Sequence, residues 1–322
     1  MLTQLRNCLG SLAAITALAG CDGNSSNAVD IFTLQGCADT GTCASNPPLV
    51  LGGERPAMVQ IPSDYDNSTR YPLVVVLHGR GVNGQIQALY MGLFDRIDRQ
   101  QFVMVYPDGL VAADGRRQWR STPTCCDTPP EEANEISDVP YLKDLIREAA
   151  ATYSIDTSRV GLIGHSSGGF MSFTMACEAS DLVTSMVNLA GSTFVDLDRC
   201  RPASKPVSVL TIHGDQDDTV FYPGITGAYL SAPAAAERYA MLASCDTTRP
   251  TPGPAIDLVG NLAGAETSST TWPGCRRGAA VEFWTIKDGP HIPGPWVDTG
   301  LDAFADWILE HPRAAAGSRA PN

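Results

Sequence analysis

An α/β fold, with a mostly parallel central sheet flanked by helices on both faces, is predicted by three observations. From Pro56 onward strand-like and helix-like segments alternate, the order expected when helices cover both sides of a parallel sheet. Short apolar runs, such as residues 73–77 and 102–106, read as strands and are bounded by polar or Pro/Gly turn signals. A chain of 322 residues, 43% hydrophobic and 18% charged, can also bury a large core within one domain.

The elements follow in order. Residues 57–61 and 73–77 are expected strands, with the polar segment 64–70 as the turn between them. The run 102–106 is ended by Pro107-Asp108-Gly109, a turn signal. Residues 137–153 carry Val139, Leu142, Leu145, Ile146 and Ala149 at helical spacing. Strands are expected at 159–163, 185–189, 206–212 and 281–286, and helices at 167–177, 234–243 and 301–309. The Pro/Gly/Thr-rich stretch 247–273 has no periodicity and reads as a loop. One domain over 49–312 is expected, followed by a disordered tail at 313–322.

Residues 1–20 hold one basic side chain, Arg6, then an apolar run over 9–19 too short to span a bilayer comfortably, and read as a signal peptide. Leu18-Ala19-Gly20-Cys21 resembles a bacterial lipobox, with Cys21 as the lipid-attachment site. Residues 21–48 are the expected attachment site and linker, flexible at 22–27. The protein is then an exported lipoprotein on the periplasmic or outer cell surface, or else secreted.

Ten cysteines fit export, because an oxidising compartment lets thiols pair. Setting aside Cys8 and Cys21 leaves an even set. Local closure pairs Cys37 with Cys43 and Cys245 with Cys275, while Cys177 and Cys200 are further disulfide candidates. The adjacent Cys125 and Cys126 must form a strained vicinal bond or find separate partners. No C-x-x-C pair meets a second pair or a His pair at ligand spacing, so no metal is expected. The formal net charge of -13 makes nucleic acid and anionic membrane surfaces poor partners, leaving the N-terminal lipid as the expected membrane contact.

Gly164-His165-Ser166-Ser167-Gly168 matches G-x-S-x-G between an expected strand and an expected helix, the setting that lifts a nucleophilic Ser out of a sheet. The turn leaves the backbone N–H of Ser167 at a helix start, where it can donate to a developing oxyanion. The partners follow in the order Ser, acid, His. Asp215, Asp217 and Asp218 compete after the strand 206–212, and the turn after Gly214 favours Asp217. His291, in the loop after strand 281–286, is the expected base, because His78, His165, His213 and His311 fail by position. Leu77-His78-Gly79-Arg80-Gly81 supplies a second oxyanion donor, the N–H of Arg80. Gly79-x-Gly81-x-x-Gly84 with Asp108 also matches a dinucleotide fingerprint, a weak signal that the other motifs outweigh. No organic cofactor is expected.

These motifs are joined by Gly52-Gly53-x-Arg55, Val105-Tyr106-Pro107-Asp108-Gly109, Trp119 with Cys125-Cys126, Asp138-Val139, Ala176-Cys177-Glu178 and His213-Gly214-x-x-Asp217. Together the chain resembles secreted α/β-hydrolase esterases related to polyhydroxybutyrate depolymerases and bacterial feruloyl and acetyl-xylan esterases. The resemblance runs from Gly52 to about Trp296. It implies an α/β-hydrolase fold and a carboxylic ester hydrolase, with Asp217 as the triad acid. Where members read G-x-G-H-x-W-P-G, this chain has Asp288-Gly289-Pro290-His291-Ile292-Pro293-Gly294-Pro295-Trp296, so the aromatic is displaced.

The expected reaction is hydrolysis of feruloyl or acetyl esters of polysaccharide, or of short hydroxyalkanoate esters, through an acyl-enzyme on Ser166. Trp119 and Trp296 are candidate walls of the substrate pocket. The alternatives are a prolyl-oligopeptidase-like serine peptidase and a catalytically silent binding protein on the same fold.

Overall fold

A computed structural model describes residues 34–121, 125, 137–196, 198–200 and 205–314. The signal peptide, Cys21, Cys126 and residues 315–322 lie outside them, and so does the first part of the linker.

Ten strands among the described residues form one sheet. Strands β1 (Val50–Leu51) and β2 (Ala57–Gln60) form its first edge, followed in chain order by β3 (Tyr71–Leu77) and β4 (Val103–Pro107). A two-stranded hairpin, β5 (Leu110–Val111) with β6 (Arg117–Gln118), stands apart from it. The remaining strands are β7 (Ile155–His165), β8 (Ser185–Leu189), β9 (Ser208–Gly214), β10 (Thr251–Pro252), β11 (Thr267–Thr271) and β12 (Val281–Ile286). Their spatial order is β1-β2-β4-β3-β7-β8-β9-β12-β11-β10. The six strands from β4 to β12 pair in parallel, and antiparallel pairs close both edges.

The apolar run of β3 shows why no alternation is visible in the sequence. Leu73, Val75 and Leu77 face one core, and Val74 and Val76 face the other. Helices α1 (Cys37–Thr40), α2 (Gly84–Tyr90) and α3 (Ile97–Gln100) precede α4 (Val139–Thr152), α5 (Ser167–Glu178), α6 (Ala232–Leu242) and α7 (Asp298–Glu310). The first core takes Leu142, Leu145 and Ile146 of α4, Phe173 of α5 and Ala236 of α6. The second takes Ala88 of α2 with Phe304 and Ile308 of α7. The sheet is therefore covered on both sides, as the alternation of segments predicts.

Three boundaries move. Leu34 and Cys37 are buried, so the packed body begins inside the stretch read as linker. At the other end Arg313 donates to the carbonyls of Ser180, Asp181 and Val183, which fixes the first tail residue to the body. The expected loop 247–273 contains β10 and β11. β11 is Thr-Ser-Ser-Thr-Thr, whose β-branched threonines suit a strand but give no apolar period to detect.

Disulfides join Cys37 to Cys43, Cys245 to Cys275 and Cys177 to Cys200. Cys125 is also disulfide-bonded. Such bonding is consistent with an oxidising, extracytoplasmic compartment.

Candidate active site

The site lies at the carboxyl ends of β7, β9 and β12. Ser166 links β7 to α5 with φ 55° and ψ -118°, a left-handed conformation that costs a non-glycine residue about 1–3 kcal/mol. Its N–H donates to the Leu189 carbonyl at 2.9 Å, and its own carbonyl accepts from the Phe170 N–H at 3.0 Å, so β8 and α5 hold the turn. The turn also needs room beneath it. A Cβ on Gly168 would lie 2.0 Å from the Leu77 carbonyl oxygen, and one on Gly164 would lie 2.2 Å from that of Gly168.

The three predicted reacting side chains meet. The Ser166 hydroxyl lies 2.9 Å from His291 Nε2, and His291 Nδ1 lies 2.8 Å from Asp217 Oδ2. A carboxylate at Nδ1 makes that nitrogen the donor, which leaves Nε2 to accept from Ser166. All three residues are buried. Of the competing acids, Asp218 is exposed and bonds the Thr219 hydroxyl. Asp215 accepts from the Asp288 N–H at 2.7 Å and so ties down the loop that carries His291. Only Asp217 reaches the imidazole.

Asp217 is anchored on both oxygens. Its Oδ1 accepts from the N–H groups of Thr219 and Val220 at 2.9 and 2.8 Å. Its Oδ2 accepts from His291 and lies 3.1 Å from His213 Nε2, which also lies 2.8 Å from the Val220 carbonyl. Both neighbours of His213 Nε2 are acceptors, so that nitrogen carries its proton. Burial opposes ionisation of Asp217, but the hydrogen bonds from His213 and His291 outweigh it and hold the carboxyl well below the usual carboxylate range. The sequence eliminates His213 as a base but does not reveal this role, which depends on the strand end meeting the turn 215–220.

His165 is also part of the site. Its Nε2 lies 3.0 Å from the His291 carbonyl, an acceptor, and its ring centroid is 5.1 Å from that of His291. Burial, and then the field of His291, push the His165 imidazole down to about 4 from 6.5. An imidazole with a depressed folded pKa takes up its proton more readily in the unfolded chain. The contribution of His165 to stability is therefore fully present above about 6.5 and is lost as the pH drops toward 4. His165→Gln keeps an N–H donor, and is expected to flatten that loss by about 1–3 kcal/mol in urea titrations at stepped pH. An unchanged slope would show that another group governs it.

A cavity of about 500 Å³ opens over Ser166 and His291, lined also by residues 79–82, Ile86, Gln87, Tyr90, Arg116, His165, Thr219 and Ile292. Gly79 and Arg80 thus face the same space as the Ser166 hydroxyl, and the Ser167 N–H opens α5 without an intrahelical partner. The 79–82 loop rests on a buried scaffold. Gln87 Oε1 accepts from the Gly79 N–H at 3.1 Å, and His78 bridges the Gly79 carbonyl at 2.7 Å and the Gly109 N–H at 2.8 Å.

Trp119 belongs to that scaffold and not to the cavity wall. It is fully buried, donates from Nε1 to the His78 carbonyl at 3.0 Å, and donates from its backbone N–H to the Ser167 hydroxyl at 3.1 Å. Trp296 also stands outside the cavity, behind Tyr90, with ring centroids 5.7 Å apart. Tyr90 is the aromatic wall instead, and its hydroxyl donates to the Pro293 carbonyl at 2.6 Å in the His291 loop. Arg55 supports Trp119 from below, paired with buried Asp138 and donating to the Asp108 carbonyl. Asp108 Oδ1 accepts from the Gly84 N–H at 2.9 Å, so the residue of the weak dinucleotide signal serves the loop itself.

A family described as "Putative esterase" matches residues 49–239, more than half of the chain, and the chain belongs to that family. The match contains Ser166 and Asp217, while His291 lies beyond its end. Feruloyl esterase D of Neurospora crassa is 24% identical over 293 residues, which cover 84% of this chain and 89% of that protein. The protein "Putative esterase NocK" of Nocardia uniformis subsp. tsuyamanensis is 29% identical over 163 residues, 51% of this chain and 45% of its own length. The chain spans less than half the length of several curated relatives it matches, 45%, 36% and 34% for three of them. An acetyl xylan esterase from Aspergillus awamori superimposes with a TM-score of 0.58 at 13% identity, covering 83% of this chain and 97% of that one. The shared architecture is the α/β-hydrolase fold.

Proposed function

We propose that the protein is a serine esterase that hydrolyses carboxylic esters through an acyl-enzyme. The observation that carries this reading is the continuous path from Ser166 Oγ to His291 Nε2 and from His291 Nδ1 to Asp217. In the first step Ser166 attacks the ester carbonyl as His291 takes its proton. Asp217 holds the imidazole in the required tautomer and stabilises the imidazolium that forms. The backbone N–H groups of Ser167 and Arg80 are the proposed donors to the tetrahedral oxyanion. His291 then protonates the departing alcohol, and water repeats the sequence on the acyl-enzyme. No step requires a cofactor.

Feruloyl and acetyl esters of polysaccharide are one proposed substrate class, supported by the names of relatives such as feruloyl esterase D and the acetylxylan esterase/xylanase of Neocallimastix patriciarum. Short hydroxyalkanoate esters are the other. Assay of p-nitrophenyl acetate and butyrate, methyl ferulate and a soluble 3-hydroxybutyrate oligomer separates the classes, and inactivity on all four would overturn the proposal. A lipid on Cys21 would hold the enzyme at the membrane surface, a reading supported by Leu18-Ala19-Gly20-Cys21. Processing in the expressing bacterium that is insensitive to globomycin would remove it.

A further inference from the structure

We propose that Arg116 makes this site selective for esters that carry a carboxylate near the scissile bond. The inference rests on the esterase reading and names a substrate class within it. Much of the cavity wall is apolar or aromatic, from Val82, Ile86, Tyr90 and Ile292, but two cationic residues, Arg80 and Arg116, line it as well. Asp114 lies between these two cations. It is held by Arg80 Nη2 at 2.6 Å, and Arg80 Nε also donates to Gln118 at 3.1 Å. Arg116 Nε lies 3.8 Å from the same Asp114 oxygen, beyond hydrogen-bond distance, and its side chain is 64% exposed.

The β5–β6 hairpin puts Arg116 in this position. The Ala112 N–H donates to the Arg116 carbonyl at 2.8 Å, and the Arg116 N–H donates to Asp114 Oδ1 at 3.0 Å. The aliphatic stem runs beside Gly81, where a Cβ would come within 3.9 Å of Arg116 Cδ. Arg116 is thereby placed beside the loop proposed to bind the oxyanion, on the same cavity. A chain of net charge -13 repels anions in general, so a local cation on the cavity wall is what an anionic ester needs in order to enter. The planar fork of arginine matches a carboxylate with two hydrogen bonds. Esters of this class include monoesters of dicarboxylic acids and hydroxyacid oligomers with a free carboxyl end. Acetyl and feruloyl groups offer no carboxylate for such a contact.

Two matched pairs test the inference on either side of the ester bond. One pair is p-nitrophenyl butyrate and p-nitrophenyl hemiglutarate; the other is the 3-hydroxybutyrate dimer as free acid and as its primary amide. In at least one pair, Arg116→Gln is expected to lower the anionic-to-neutral ratio of kcat/KM by about five- to tenfold. Arg116→Lys should retain part of the preference, and high salt should lower the wild-type ratio toward that of Arg116→Gln. Ratios identical in wild type and Arg116→Gln for both pairs would overturn the inference. Wild-type inactivity on all four compounds would instead sink the esterase reading, and this inference with it.

Discussion

Ser166→Ala is expected to abolish ester hydrolysis, lowering kcat by a factor on the order of 10^5 to 10^6, while the protein stays folded. The substitution deletes the oxygen 2.9 Å from His291 Nε2, and no other hydroxyl shares that position among the described residues lining the cavity, where Thr219 bonds Asp218 instead. Backbone groups that hold the elbow, the Ser166 N–H on Leu189 and the Ser166 carbonyl on Phe170, are untouched. Thermal stability should therefore match or slightly exceed that of the wild type, as is common when a reacting group under local strain is removed. Activity surviving in the variant on p-nitrophenyl butyrate would place the chemistry elsewhere.

Asp217→Asn is expected to cost about 10^4 in kcat, with a smaller change in KM. The effect follows from the direction of each hydrogen bond. The N–H groups of Thr219 and Val220 point at one oxygen of Asp217 and would hold the amide oxygen there. The amide nitrogen must then face His291 Nδ1 and His213 Nε2, where the carboxylate now accepts. A donor at His291 Nδ1 favours the tautomer with the proton on Nε2, and that nitrogen can no longer take a proton from Ser166. Stopped-flow measurement of acylation by a p-nitrophenyl ester reads this loss directly. A variant within tenfold of wild type would mean that Asp217 neither orients nor stabilises the imidazole.

The parts of this molecule that were legible in the sequence are those governed by local rules. The strands β3 and β4 announce themselves as short apolar runs because both of their faces are covered, and residues 185–189 and 281–286 match β8 and β12 end to end. The elbow is legible because a strand, a G-x-S-x-G turn and a helix are contiguous. The turn after Gly214 sets Asp217 apart from its neighbours in the sequence, and in the structure it is the one of the three aspartates whose side chain reaches His291.

What escaped reading depends on distant contacts. Arg55 and Asp138 are 83 residues apart, Gln87 acts on Gly79 through a helix, and His213 meets Asp217 only because the chain folds back beyond β9. Trp119 illustrates the same limit, since its sequence position cannot distinguish a ring facing a ligand from one beneath a loop. Trp296 does not line the cavity as its sequence position suggests, because the His291 loop presents Ile292, 63% exposed, there and leaves the aromatic behind Tyr90. β11 is not legible in the sequence because a Thr/Ser strand carries no hydrophobic period.

Covalent trapping tests the central claim most directly. A fluorophosphonate, which reacts with an activated serine, should add one equivalent to the wild-type protein with matching loss of esterase activity, and peptide mass spectrometry should locate it on Ser166. Labelling should be absent in Ser166→Ala and slow in Asp217→Asn. Label on another residue, or none in a preparation that hydrolyses esters, would contradict the account.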